Sequence, residues 1–180
     1  FPAGGTAVVE SHQSLRWFII KRGDKYAIRL RDLEGEYLKA FHGIEYFPAN
    51  PKWNIKAKFI PTAGKKVTII DITGRSYQED SPGLLEFVVD GKTYRLEAGP
   101  GETKEDFFIV FGDATNKTST YGGGRFLDTK GFNADGTVTL DFNKAYNPYC
   151  HYNHSYSCPL VPEQNRLKVS IKAGEKKFHE

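Results

Sequence analysis

Short apolar runs with a period of two limit the fold of this chain more than any other feature. Tyr26, Ile28 and Leu30 alternate with Ala27, Arg29 and Arg31. Trp53, Ile55, Ala57 and Phe59 alternate with Asn54, Lys56 and Lys58. Val138, Leu140 and Phe142 alternate with Thr137, Thr139, Asp141 and Asn143. Successive side chains of a strand point to opposite faces, so this spacing marks strands with one buried side. Further runs of strand length lie at Leu15 to Ile20, Lys66 to Ile72, Leu84 to Val89, Thr93 to Leu96, Phe107 to Phe111 and Leu167 to Ile171. Lys21 to Lys25, with Gly23 free to take positive φ, reads as a hairpin turn, and Asp90-Gly91 between apolar runs is a stronger one. Residues 32–52 are less regular: Leu33 to Phe41 allows a turn or two of helix, and Tyr46 to Pro51 is extended by its prolines. The expected fold is all-β, an antiparallel sandwich or partly open barrel of about nine or ten short strands with little helix.

At 180 residues the chain has the length of one domain. Residues 1–13 are expected as a loosely ordered lead-in and residues 14–180 as a single β-rich domain. Thirteen Phe, ten Tyr and two Trp favour strands over helices. No apolar run approaches the length of a membrane-spanning helix. The sequence starts at Phe1 and contains no Met, so a removed leader or a fragment is expected. A net charge of +3 is too small to call for nucleic acid. The charge is uneven, with twelve Lys/Arg against six Asp/Glu in residues 1–70 and four against ten in residues 71–113. Such halves pair across one fold or face solvent more often than they mark a partner.

The unusual residues concentrate between Phe107 and Lys176. Gly122 to Gly124 lack the Gly-Lys-Ser/Thr ending of a phosphate loop and read as a turn or bulge before a strand starting at Arg125. Arg22-Gly23-Asp24 spells an adhesion tripeptide, and Asn116-Lys-Thr118 and Asn153-His-Ser155 spell glycosylation triplets, but motifs this short occur by chance. Cys150 and Cys158 have His151 and His154 between them. A disulfide closing this short loop, two free buried thiols, or a four-ligand metal site each fit that spacing. The disulfide is the simplest, and neither a metal nor a cofactor is expected. Asp113, Tyr121, Arg125, Asp141, Asn143 and Tyr146 form the candidate ligand-binding set, with Thr115 and Asn147 nearby in sequence. Asp141 and Asn143, two apart on a strand, would share a face. A buried carboxylate there needs a cation, and the Arg125 fork suits it. The cluster is therefore expected as Arg125 paired with Asp141 or Asp113, with Tyr121 or Tyr146 donating to the same acids.

The chain resembles the prokaryotic domain of unknown function 1684 family. The resemblance rests on Phe18 to Asp32, Phe41 to Pro48, Gly91 to Leu96, Phe111 to Thr115, Thr120 to Leu127, Leu140 to Cys150 and Cys158 to Glu175. Its most specific part is Asp141-Phe-Asn-Lys-Ala-Tyr-Asn-Pro148 with Cys150, followed by Cys158-Pro-Leu and Asn165-Arg-Leu. It implies no established activity. It includes the cysteine pair but not the two histidines, and it implies an exported bacterial protein, periplasmic, secreted or surface-anchored, in which a disulfide is at home, with a cytoplasmic location as the alternative. Two function classes follow. One is a domain that binds a small molecule or a protein partner through the loop side around residues 113–147. The other is a hydrolase using Asp113 or Asp141 with a histidine, although no nucleophile motif such as Gly-X-Ser-X-Gly is present.

Overall fold

A computed structural model describes residues 8–62 and 64–178. The chain divides between Gly43 and Ile44 into two compact units. The sequence reading draws no boundary there, because the alternation looks alike on both sides. Hydrogen bonding separates them: strands ahead of Gly43 pair only with one another.

The first unit is a three-stranded antiparallel meander of β1 (Glu10–His12), β2 (Leu15–Arg22) and β3 (Lys25–Asp32), followed by one helical turn, α1 (Glu36–Lys39). Gly23 turns the β2–β3 hairpin at φ +59. Ile19 faces Ile28 and Trp17 faces Leu30 across the pair. Tyr26, Ile28 and Leu30 nevertheless stay exposed, so here the period-two pattern marks a strand without marking a core. Of the expected lead-in, residues 1–7 lie outside the described residues, and Glu10 to His12 pair with Leu15 to Trp17.

The second unit holds β4 (Asn54–Pro61), β5 (Lys66–Ile70), β6 (Ser76–Asp80), β7 (Gly83–Val89), β8 (Lys92–Pro100), β9 (Phe107–Phe111), β10 (Arg125–Thr129) and β11 (Thr137–Asp141). Six of these form one antiparallel sheet in the order β10-β9-β8-β7-β4-β11. Its outermost strands, β10 and β11, lie against each other, so the sheet curls into a nearly closed barrel. The β5–β6 hairpin stands apart as a two-stranded sheet. The inward positions are those that the alternation marks: Ala57 on β4, Leu85 on β7, Leu96 on β8, Ile109 and Phe111 on β9, and Val138 and Leu140 on β11 are all fully buried. Each large apolar side chain placed there stabilises the fold by roughly 1.5–3 kcal/mol. Asp90 (φ +48) and Gly91 (φ +75) close the β7–β8 hairpin with two positive-φ residues, the turn whose twist matches its strands.

Two expected strands end differently. Phe142 does not extend β11: Phe142–Lys144 is a turn of 3-10 helix, capped by the Asp141 carboxylate accepting from Asn143 N at 3.2 Å. Leu167 to Ile171 alternates in burial but forms no ladder. Its backbone is instead tied at single points, Leu167 N to Gly112 O at 2.8 Å and Ala114 N to Val169 O at 3.0 Å. The other α-helix among the described residues, α2 (Tyr149–Tyr152), is also a single turn. No helix of the described residues is long and apolar enough to cross a membrane.

Candidate functional site

Arg125 is the first residue of β10, and the glycine before it explains why its side chain points inward. Gly124 sits at φ +90, and a Cβ there would overlap Val161 and the Phe111 carbonyl. Only glycine lets the chain turn so tightly at this point. The guanidinium that follows is fully enclosed. Its Nη2 donates to Asp113 Oδ2 at 2.8 Å and to Ile171 O at 2.9 Å, while Nη1 donates to Ala173 O and to Glu175 O at 3.4 Å. The Phe111 ring lies 5.4 Å from its central carbon. Both Arg125 and Asp113 side chains have 0% exposure. Burial pulls the Arg125 pKa below its ordinary value, and the Asp113 charge opposes that pull.

Asp113 is equally occupied. Its Oδ1 accepts from Thr115 N at 2.7 Å, Thr115 Oγ1 at 2.6 Å and Ile171 N at 3.2 Å. The Asp113 alternative for the Arg125 partner is therefore the one found, and Asp141 is elsewhere. Asp141, the last residue of β11, caps the 3-10 turn that follows: its Oδ1 accepts from Asn143 Nδ2 at 2.9 Å, and Lys144 lies 3.7 Å away. Asn143 in turn donates to Asn50 O at 3.0 Å and accepts from Asn50 N at 2.9 Å, fastening the segment before β4 to the end of β11. The two residues thus meet through a cap and share no strand face. Neither expected tyrosine donates to the Arg125 partner. Tyr146 donates to Asp128 Oδ2 at 2.8 Å, on the outer side of β10.

Glu175 is a buried acid that the sequence reading passed over. Its Oε1 accepts from Tyr46 OH at 2.9 Å; its Oε2 accepts from Asn147 N at 2.7 Å and Tyr152 OH at 2.8 Å. Gly174 before it lies at φ +74, pressed so closely on Ala145 that a Cβ would overlap the Ala145 carbonyl. The pairing of a glycine with the following acid in Ala173-Gly-Glu175 was the available signal. Arg125, Asp113 and Glu175 together form a polar knot that fastens residues 171–175 to the barrel.

Tyr121 and the cysteines occupy the outer face of β9 and β10. Val110, Phe126, Cys150, Cys158 and Val161 form a second small apolar cluster there, with Tyr121, Tyr146 and Tyr156 half-buried against it. The expected bridge between Cys150 and Cys158 is not formed; the two lie side by side, with Cys158 Sγ accepting from Cys150 N at 3.2 Å. The hydrogen bond from Cys158 and then burial push the Cys150 thiol far up, which keeps it protonated and a poor nucleophile. Burial, followed by the neighbouring Cys150, also pushes the Tyr121 phenol up. His151 stacks at 4.3 Å on Tyr121, and its Nε2 accepts from Phe178 N at 2.7 Å. Among the described residues no group of three His, Cys, Asp or Glu side chains is placed to hold a metal.

This outer face is aromatic and partly open. Tyr149 and Tyr156 lie 5.3 Å apart, and Tyr149 is 70% exposed. Tyr146 packs edge-on to Phe126 at 5.8 Å. Of the six candidate residues, then, the structure brings Asp113 and Arg125 together in the interior and Asp141 and Asn143 together at a cap. Tyr121 and Tyr146 stand on the face built around the two cysteines.

A family model described as a protein of unknown function (DUF1684) matches residues 39–176. The match includes the whole knot and the aromatic face; the hairpin Phe18 to Asp32 lies ahead of it. The chain is also similar to the solution NMR structure of an uncharacterized protein from Haloarcula marismortui, at 30% identity and a TM-score of 0.63, covering 79% of this chain and 80% of that one. No curated protein matches the chain.

Proposed function

We propose that this chain, which belongs to the DUF1684 family of proteins of unknown function, is a binding domain whose contact surface is the aromatic face over Cys150 and Cys158. One observation carries this reading. Tyr121, Tyr146, Tyr149 and Tyr156 are held half-buried or exposed over an apolar base, while the Asp113 carboxylate is filled from within. Tyrosines fixed in this way offer large contact area with little ordering cost, which is what recognition of a small molecule or a protein partner needs. The hydrolase reading draws no support from this arrangement. General acid–base work needs an acid open to substrate, and Asp113 is enclosed with every oxygen engaged.

The test is a fragment and glycan screen by amide chemical-shift mapping, repeated on Tyr149→Ala and Tyr121→Ala. Ligands that perturb residues 146–158 in the parent, and lose affinity in both variants, support the reading. Ligands that map elsewhere, or that are indifferent to both substitutions, overturn it.

The same reading includes an oxidising, extracytoplasmic setting in a bacterium. There the two thiols would exchange with an oxidised partner disulfide while the chain is still folding and both sulfurs are open, losing two hydrogens to it as their own S–S bond forms. Mass spectrometry of the protein purified under non-reducing conditions decides this: intact free thiols on material recovered from outside the cytoplasm would end it.

A further inference from the structure

A shallow groove of about 490 Å³ lies in the second unit, between β8 and the 3-10 turn Glu163–Asn165. Arg95, Arg166 and Lys168 line it, with Gln164, the Tyr94 ring and Leu167. Its size falls within the range of small-molecule sites, roughly 300–1,000 Å³. Buried contacts on both sides fix its walls. Asn165 is almost wholly buried, and its side chain bridges β8 and β9. Its Oδ1 accepts from Glu97 N at 2.7 Å, and its Nδ2 donates to Glu97 O and Val110 O, both at 2.9 Å. Gly112 N donates to Asn165 O at 3.0 Å, and Leu167 N returns to Gly112 O at 2.8 Å. Arg166 and Lys168 therefore project from a segment pinned at every second residue. On the other wall Tyr94 is seated against Phe87, with ring centroids 5.9 Å apart, and Arg95 follows it pointing outward.

The two guanidinium groups each have an acidic neighbour. Arg95 meets Glu86 at 2.7 Å with 60% of its side chain exposed. Arg166 meets Glu163 at 3.4 Å, and that glutamate is itself 92% exposed. The Arg166–Glu163 pair, open on both sides, is worth about 0–1 kcal/mol, so an incoming anion competes with it readily. Two planar guanidinium forks and one ammonium on facing walls match oxyanions, which accept two parallel N–H bonds from each fork. A site with a single cation would suit one oxyanion; cations on both walls suit two. We infer that this groove binds a small molecule carrying at least two oxyanion groups, phosphate or carboxylate.

The experiment titrates the protein with pyrophosphate, and in parallel with citrate, following amide shifts at low salt. Saturable shifts at residues 93–95 and 164–168 are expected with one or both probes, and the stronger response tells phosphate from carboxylate preference. Arg166→Gln/Lys168→Gln should weaken the affinity about tenfold or more, given that hydrogen bonds to charged groups are the strong ones. Raising the salt should weaken it in the parent as well. Tyr149→Ala, on the aromatic face, should leave it unchanged, so failure here and failure of that face are distinguishable. Shifts that do not saturate, that appear equally around exposed lysines such as Lys56, or that survive the double substitution mean general ion screening only, and overturn the proposal.

Discussion

Arg125 has Asp113 Oδ2 and the carbonyls of Ile171, Ala173 and Glu175 around its guanidinium, and no exposure to solvent. Arg166 has an exposed glutamate at 3.4 Å and a donation to Val161 O at 3.4 Å, with half of its side chain in water. The two residues carry the same group and stand in neighbouring parts of one fold. What separates them is whether the protein has already supplied the oxygens. In the first case the charge is a fastener, since removing it strands a buried carboxylate and three carbonyls. In the second the protein leaves the charge to be met by something else. A cluster that looks richest in chemistry along the sequence can thus be the one least able to meet a ligand.

The sharpest way to break this comparison is Arg125→Ala. It should lower stability by about 3–5 kcal/mol, because Asp113 is left charged and unpaired in the interior. Urea unfolding measures it, and a loss below about 1 kcal/mol would make Arg125 no more structural than Arg166. Gly174→Ala comes next. It forces a side chain into positive φ against Ala145, and about 1–3 kcal/mol of strain is expected by the same measurement.

A smaller effect is expected at high pH. Burial and then the bond to Asp128 push the Tyr146 phenol up. For Tyr152, burial pushes up, the Asn147 bond opposes it, and the bond to Glu175 adds to it. A phenol whose folded-state pKa exceeds its unfolded value near 10.0 contributes stability that is complete below that value and lost as pH rises through the folded one. Melting temperatures should therefore fall above about pH 10. Tyr146→Phe and Tyr152→Phe should flatten that fall, and an unchanged pH profile in both would refute the assignment. Least of all, Arg166→Gln should change stability by no more than about 0.5 kcal/mol. A larger loss would mean that the groove cations are fasteners too.

The barrel was readable where burial follows the alternation, as on β7 and β11: Leu85, Phe87, Val138 and Leu140 all point where a period of two sends them. The same signal fails to separate Ile28, exposed, from Ala57, enclosed, since alternation reports a strand and not what covers it. The Arg125 pairing was half legible. Burial of a charge demands an opposite one, but the choice between Asp113 and Asp141 depended on where a strand stops. Asn143 and Lys144 end β11 by turning Asp141 into a cap, and period two gives no warning of that. Glu175 was illegible for another reason. Its donors come from Tyr46, Asn147 and Tyr152, spread along most of the second unit. The groove has the same character, as Arg95 and Arg166 line it together because Asn165 joins their segments.

The bond from Tyr46 to Glu175 spans 129 residues, and Arg125 reaches forward 46 and 48 residues to Ile171 and Ala173. A ribosome delivers this chain in the opposite sense, with Tyr46 early and Glu175 late. At about 5–20 residues per second, the segment that receives Tyr46 follows it by roughly ten seconds, and Arg125 waits through the last few of those. Until then the nascent barrel carries a guanidinium at its heart with most of its acceptors still unmade. A chain halted before Ile171 keeps that charge without its carbonyls, so the barrel closes around Arg125 only once residues 171–175 have been made.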